Sequence, residues 1–263
     1  MSTEFKVTVL SCTKNPQTLI YQALHQDYSS TPVYSTKLPS EKKCGEIAVE
    51  KLLSGGKGHW GCFEHPSISF NCINFPHSVL QQARTHRIGV SFDCQSFRYT
   101  SRWREIGEKL ESLLLGKTQN HNWGNILPAE IPTETIKDLE SIAYLRPAQE
   151  YSSRDGKFIY TEEQRSKDLA IVAYTAINYA SSRRAGMSPE QARGVIPFDY
   201  RQHFVVTFNL RSLLHFLDLR AKQDAQWEIV QLAEMLAKKA EAWCPEVMSW
   251  YIKNRYKKAK LAP

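Results

Sequence analysis

Apolar and polar residues alternate along KVTVLSC, Lys6 to Cys12, which predicts an opening strand. EIAVEKLLSGG, Glu46 to Gly56, has helical spacing and stops at a glycine pair. SISFNCINF, Ser67 to Phe75, alternates again and places Ile68, Phe70 and Cys72 on one face of a second strand. SVLQQARTHR, Ser78 to Arg87, fits a short helix with Ser78 as its N-cap. From about Trp103 to Gly156 the pattern is less regular. GKTQNHNWGNILPAEIPTET is rich in turn residues there, so surface loops and one helix are expected. Thr161 to Gly186 predicts a long helix ending at glycine. SPEQARG starts another, with Ser188 at the N-cap, Pro189 at the first position and Glu190 in the first turn. HFVVTFNL, His203 to Leu210, is strand-like, and RSLLHFLDLR and AQWEIVQLAEMLAKKAEAW predict two further helices. No linker rich in Pro, Gly or Ser divides the chain, and no repeat is present. These patterns describe one α/β or α+β domain over 1–263, with a more variable segment at about 103–160 and a basic C-terminal tail.

Composition narrows the class further. With 263 residues, 42% of them apolar, the chain can bury a substantial core. It lacks an apolar run long enough for a membrane helix, and MSTEFKVTVLSC does not read as a signal peptide. Its six cysteines are scattered without framework spacing, which suits a reduced, cytoplasmic protein. The formal charge of +7 has two readings. One is a solvated basic tail at NRYKKAK, Asn254 to Lys260; the other is an anionic partner such as nucleic acid, nucleotides or a phosphorylated cofactor.

The candidate chemistry is concentrated in arginine. Arg84, Arg87, Arg98, Arg102 and Arg104 lie close together among short hydrogen-bonding side chains. Guanidinium is permanently charged and binds phosphate or carboxylate with two parallel hydrogen bonds. Apolar Ile88, Val90, Phe92 and Phe97 imply that the segment is partly buried, and a buried arginine needs a partner. Few acids lie nearby in sequence, so an anionic ligand is expected. A second group is Arg193, Arg201, Arg211 and Arg220. On one helix, Arg211 and His215 share a face, whereas Arg220, nine residues on, falls on the opposite one. In GHWGCFEH, Gly58 to His65, His59, Cys62 and His65 are spaced three apart, with Cys72 beyond; without a second close pair no metal is expected. Cys94 reads as a small apolar filler rather than a nucleophile. No GxGxxG, P-loop or GxSxG motif is present. A nucleic-acid module using Phe92, Phe97, Tyr99 and Trp103 as stacking partners is the competing class.

The stretch THRIGVSFDCQSFRY, Thr85 to Tyr99, resembles the signature of the flavin-dependent thymidylate synthases. HWGCFEH, EQARGVIPFDYRQHF and FNLRSLLHFLDLRAKQDAQWE agree with that family in order and spacing, so the resemblance covers roughly residues 5 to 250. Thr85 stands where the signature has its first arginine, and eight residues instead of seven separate Arg87 from Ser96. What the resemblance implies is a central, mostly antiparallel sheet flanked by helices, and conversion of dUMP to dTMP. FAD is the implied cofactor, with NADPH and methylenetetrahydrofolate as co-substrates. It also implies a homotetramer with shared active sites in the cytoplasm, with no nucleic-acid or membrane partner. Carried over residue by residue, it assigns His59, Glu64, His86, Arg87, Asn209, Arg211 and His215 to FAD. It assigns Gln82, Gln95, Ser96, Arg98, Arg193 and Arg220 to dUMP, with Arg220 the catalytic cation at the uracil ring. A different flavoprotein on the same scaffold, such as a uridine-modifying methyltransferase, is the second alternative; Arg193 and Arg220 argue against it.

Overall fold

The computed structural model describes residues 3–115, 126–153 and 155–258. Six strands are present among them: β1 (Lys6–Cys12), β2 (Ser67–Pro76), β3 (Val90–Cys94), β4 (Gln149–Ser153), β5 (Gly156–Tyr160) and β6 (Arg201–Asn209). Four form a sheet in the order β1-β2-β6-β3, and β4 and β5 make a separate antiparallel hairpin. β1 and β2 pair antiparallel, with a register shift between Val9 and Ser11. On β2, Ile68, Phe70 and Cys72 are all buried, as the alternation predicts.

The helices are α1 (Pro16–Tyr28), α2 (Glu41–Ala48), α3 (His77–Ala83), α4 (Phe97–Thr100), α5 (Trp103–Leu115), α6 (Thr133–Ile142), α7 (Glu162–Arg184), α8 (Pro189–Ala192), α9 (Leu210–Arg220), α10 (Trp227–Trp243) and α11 (Pro245–Asn254). α2 begins earlier than its sequence pattern suggests, because Ser40 accepts a bond from the Lys43 amide and caps it. It runs on through a π turn, Val49–Leu53, and ends where Gly55 and Gly56 adopt left-handed φ. Thr161 caps α7, and Ser188 caps α8 as expected, each completed by a glutamine three residues on. α3 starts at His77, so Ser78 lies inside the helix and is not its cap.

The described residues fall into two compact units. One comprises those within Met1–Phe5, Asn74–Leu80 and Cys94–His203. Its core is built from Trp103, Ile106, Leu110 and Leu114 of α5, Leu139 and Ile142 of α6, and Leu169, Val172, Ala173, Ala176 and Ile177 of α7. Gly107 lets α5 and α7 approach closely, since a Cβ there would collide with the Ala176 backbone. Two helices and a hairpin therefore occupy the segment expected to be loops and one helix. The expected turn run at 116–125 lies outside the described residues. Trp103 is 2% exposed and Phe97 is buried, so neither is available as a stacking platform for bases.

The second unit comprises the described residues within Lys6–Ile73, Gln81–Asp93 and Phe204–Pro263. Its core gathers Phe70 and Phe208 from the sheet, Leu213 and Phe216 from α9, Ile229, Leu232 and Leu236 from α10, and Tyr251 from α11. The α10 stripe is thus core. Part of the basic tail is anchored: Arg255 pairs with the buried Asp218 at 2.8 Å and Lys257 with Glu234 at 2.6 Å. Lys260 lies outside the described residues.

Candidate active site

In the second unit the site is organised at the junction of β6 and α9. Asn209 ends the strand, and its side-chain oxygen accepts the Ser212 amide at 2.8 Å, capping α9. The Asn209 amide donates to the Gly89 carbonyl at 3.0 Å, and the Ser212 hydroxyl to the Ile88 carbonyl at 2.7 Å. Gly89 has φ +65°, and a Cβ there would collide with Asn209 and Ser212. Only glycine fits both constraints. These bonds tie the segment after α3 to the start of α9 and bring two arginine-bearing stretches together.

They surround a cavity of about 560 Å³ lined by Glu64, His86, Arg87, Arg211, His215 and Arg220, among others. Arg211 pairs with Glu64 at 2.5 Å. Arg220 is half-buried and makes three bonds, all to neutral acceptors: His86 Nε2 at 3.1 Å, the Gln82 carbonyl at 3.1 Å and Thr85 Oγ1 at 2.9 Å. Among the described residues no carboxylate pairs with Arg220 or Arg87. The cavity thus carries three guanidinium groups against one carboxylate, which suits a polyanion. Burial lowers the pKa of Arg220 from its ordinary value, yet a guanidinium starts so high that it stays charged. His86 is pushed down to about 4, first by burial, then by the Arg220 charge and by His215. It is therefore neutral at pH 7, with Nε2 free of a proton so that it can accept from Arg220.

The helical-wheel expectation is half met. Arg211 and Arg220 do have different protein partners, but both line this one cavity, because α9 ends at Arg220 and its long side chain folds back toward α3. His86, expected at FAD phosphates, lines this cavity and accepts from Arg220. Thr85, which stands where the signature has its first arginine, shares that task, a role that its motif position did not assign. Asn209 works as a helix cap, and His59 lies outside the cavity, with Nδ1 3.5 Å from the Tyr28 hydroxyl. Gln82 joins this group through Arg220.

Gln95, Ser96, Arg98 and Arg193 belong to the other unit. Ser96 precedes α4, where its carbonyl accepts from Tyr99 and Thr100. Arg98 pairs with Glu190 at 2.5 Å, and this bond holds the Glu190 carboxyl down at about 2. Arg193 is exposed, in the turn that follows α8, three residues beyond Glu190. Gln95 is fixed through its backbone, donating to the His203 carbonyl at 2.9 Å and accepting from Gln202 at 3.0 Å. It lines a cavity of about 330 Å³ with Arg102 and Arg201. Arg201 donates to the carbonyls of Glu140 and Asn74, and burial lowers its pKa to about 10.

The arginine-rich segment departs from expectation in two details, its nearby acids and its packing. Arg98, Arg102 and Arg104 pair with Glu190, Glu105 and Glu108, so protein carboxylates partner them; α5 and α8 supply these acids. Ile88 is 87% exposed and Cys94 is exposed at the end of β3, so neither is packed as filler.

The family model described as thymidylate synthase complementing protein matches residues 8–246. A protein named flavin-dependent thymidylate synthase from Halobacterium salinarum is 32% identical over 266 residues, covering 98% of this chain and 100% of its own. One of the same name from Haloarcula marismortui is 32% identical over 270 residues, covering 98% and 99%. Among solved structures, thymidylate synthase X from Helicobacter pylori with FAD and dUMP superposes with a TM-score of 0.66 at 17% identity, covering 95% of this chain and 100% of that one. A UMP/dUMP methylase, PolB from Streptomyces cacaoi, bound with 5-Br dUMP, superposes at 0.68 and 17%, covering 99% and 98%. At such identities the superpositions establish the shared fold.

Proposed function

The chain belongs to the flavin-dependent thymidylate synthases, and from that premise we propose that it converts dUMP to dTMP with its own arginines in the roles that follow. Membership carries the reaction. The assignment of roles rests on one observation: a half-buried Arg220 held by three neutral acceptors in a cavity it shares with Arg87 and Arg211. The residues present fit FAD, since two further guanidinium groups face the same space and a diphosphate needs such counter-charges. Arg87, Arg211 and His215 hold FAD, and Glu64 orients Arg211. Bound FAD, reduced by NADPH, supplies the hydride that completes the methyl group; the one-carbon unit comes from methylenetetrahydrofolate. Arg220 lies at the uracil ring and stabilises the negative charge that grows on the ring nitrogen, which makes the 5-carbon a better nucleophile. His86, neutral and accepting from Arg220, aims that cation. Ser96, Arg98 and Arg193, with Gln82 and Gln95, bind dUMP, and the substrate phosphate displaces Glu190 from Arg98. The assembly is a cytoplasmic homotetramer whose active sites are shared between subunits.

No helix of the described residues is long and apolar enough to cross a membrane. The deciding experiment assays dTMP formation from dUMP, methylenetetrahydrofolate and NADPH, using flavin-stripped protein with and without added FAD. Product that requires FAD is expected. Methylation of UMP in a parallel tube with none of dUMP would instead identify a uridine-nucleotide methylase. Absence of product from both substrates, in folded protein, would overturn the reading.

A further inference from the structure

A second cluster lies in the same unit, outside the cavity. α2 and its π turn end at Gly55 and Gly56, and Gly58 also has left-handed φ. The chain turns back there, and the His59 amide donates to the Leu52 carbonyl at 3.0 Å. A tight helical turn, Gly61–Glu64, follows, and its bond from the Phe63 amide to the Trp60 carbonyl puts His59 and Cys62 on one side. Both side chains meet Asp27, from the last turn of α1. A ring nitrogen of His59, the sulfur of Cys62 and a carboxylate oxygen of Asp27 all lie within 4.8 Å of one another. The Cys62 thiol donates to Asp27 Oδ2 at 3.4 Å.

Two features make this more than a chance meeting. First, Asp27 stands at the negative end of a helix, where a carboxylate is disfavoured, and among the described residues no lysine or arginine pairs with it. Its hydrogen-bond partner is a thiol, a weak donor. Second, the cluster graduates from buried to open: Cys62 is 2% exposed while His59 and Asp27 are exposed. A buried sulfur is shielded while one side stays open to an incoming ion. Replacing the thiol proton by a cation relieves the carboxylate and joins all three donors. One sulfur, one imidazole and one carboxylate form a borderline-soft set that suits zinc and its neighbours rather than magnesium or calcium.

We propose that Asp27, His59 and Cys62 form a binding site for one zinc-class divalent cation, with water in the fourth position. Binding releases the Cys62 proton to solvent and leaves the thiolate on the metal. The sequence spacing of His59 and Cys62 contributes two of the donors. The third is Asp27, thirty-two residues before His59, and neither His65 nor Cys72 takes part; Cys72 is buried in the core.

The test uses full-length protein loaded with FAD, in a Cys12→Ser, Cys94→Ser background that removes the two exposed thiols among the described residues. Zinc is titrated calorimetrically, and the loaded protein is studied by X-ray absorption at the zinc edge. One zinc per chain is expected, with a sulfur neighbour at about 2.3 Å and lighter neighbours at about 2.0–2.1 Å. Cys62→Ser removes the sulfur neighbour. Asp27→Asn, at an exposed position, weakens binding at least about tenfold, the smallest loss typical even of outer-shell changes, and leaves unfolding of the metal-free protein unchanged. Substoichiometric zinc, zinc without a sulfur neighbour, or parental affinity in Asp27→Asn would overturn the proposal. None of these readouts depends on turnover, so failure here is separable from failure of the thymidylate synthase reading.

Discussion

At Arg220 a fixed charge is held by neutral groups alone, two side chains and one carbonyl, and the guanidinium is half-buried. Such a group is preorganised for an anionic partner, because its desolvation is not offset within the protein. Arg220→Ala is expected to lower kcat by about 10²–10³-fold, the range for losing one preplaced charge-stabilising group. FAD should co-elute with the variant as before; normal turnover would remove Arg220 from the mechanism. Arg211→Ala should have the opposite profile, with FAD lost on gel filtration. His86 titrates with a defined sign. Its folded pKa, about 4, lies below the ordinary value of 6.5. Between those values the unfolded chain takes up a proton that the folded chain refuses, so stability falls as pH drops from about 6.5 to 4 and is unaffected above that window. His86→Gln keeps an acceptor for Arg220 and does not titrate. Urea midpoints should therefore fall less between pH 7 and 5 in that variant than in the parent; equal falls would contradict the neutral, buried histidine.

Elements place these residues through two junctions. The turn at Gly89 is one. Gly89→Ala must adopt left-handed φ and displace Asn209 and Ser212, at a cost of about 1–3 kcal/mol from the backbone conformation alone. Because the turn also carries Arg87 to the cavity, FAD affinity should fall together with the melting temperature. A variant that melts normally would show that the turn adapts. The other junction joins α9 and α11. Asp218 accepts from the Tyr251 hydroxyl and from Arg255, both at 2.8 Å, and its side chain is 1% exposed. Asp218→Ala removes the buried carboxylate that pairs with the Arg255 guanidinium, so about 3–5 kcal/mol of stability should be lost in denaturant titration. Burial and the Asp218 carboxylate raise the Tyr251 pKa, so its hydroxyl stays a donor across the working pH range.

On the scale of the whole molecule, the residues assigned to dUMP divide between the two units, with Gln82 and Arg220 in one and Gln95, Ser96, Arg98 and Arg193 in the other. The proposed homotetramer with shared sites makes a direct prediction. Arg98→Ala and Arg220→Ala chains, each deficient alone, should regain activity when coexpressed and assembled together, because some mixed sites then hold both arginines. Light scattering should give four chains per particle. Coexpressed tetramers no more active than either parent would place each complete site within one chain.

Alternation and capping are local, and so the chain order alone determined β1, β2, β6, the long α7 and the cap of α8; the order of the motif blocks determined the family. Three features depended on packing. α1 has only a weak apolar stripe, so its contacts define it; α5 and α6 have clear stripes, but they and the hairpin adjoin a run of turn residues that masks them as loop. The partners of two site arginines depended on acids far along the chain: Glu190 reaches Arg98 across ninety-two positions and Glu64 reaches Arg211 across 147. Tertiary structure alone decided that His86 and Thr85 serve Arg220, and that Asp27 meets His59 and Cys62. Side-chain chemistry is written residue by residue, but a charge acquires its role from the neighbours that folding brings within a few ångströms, and local spacing does not encode those distances.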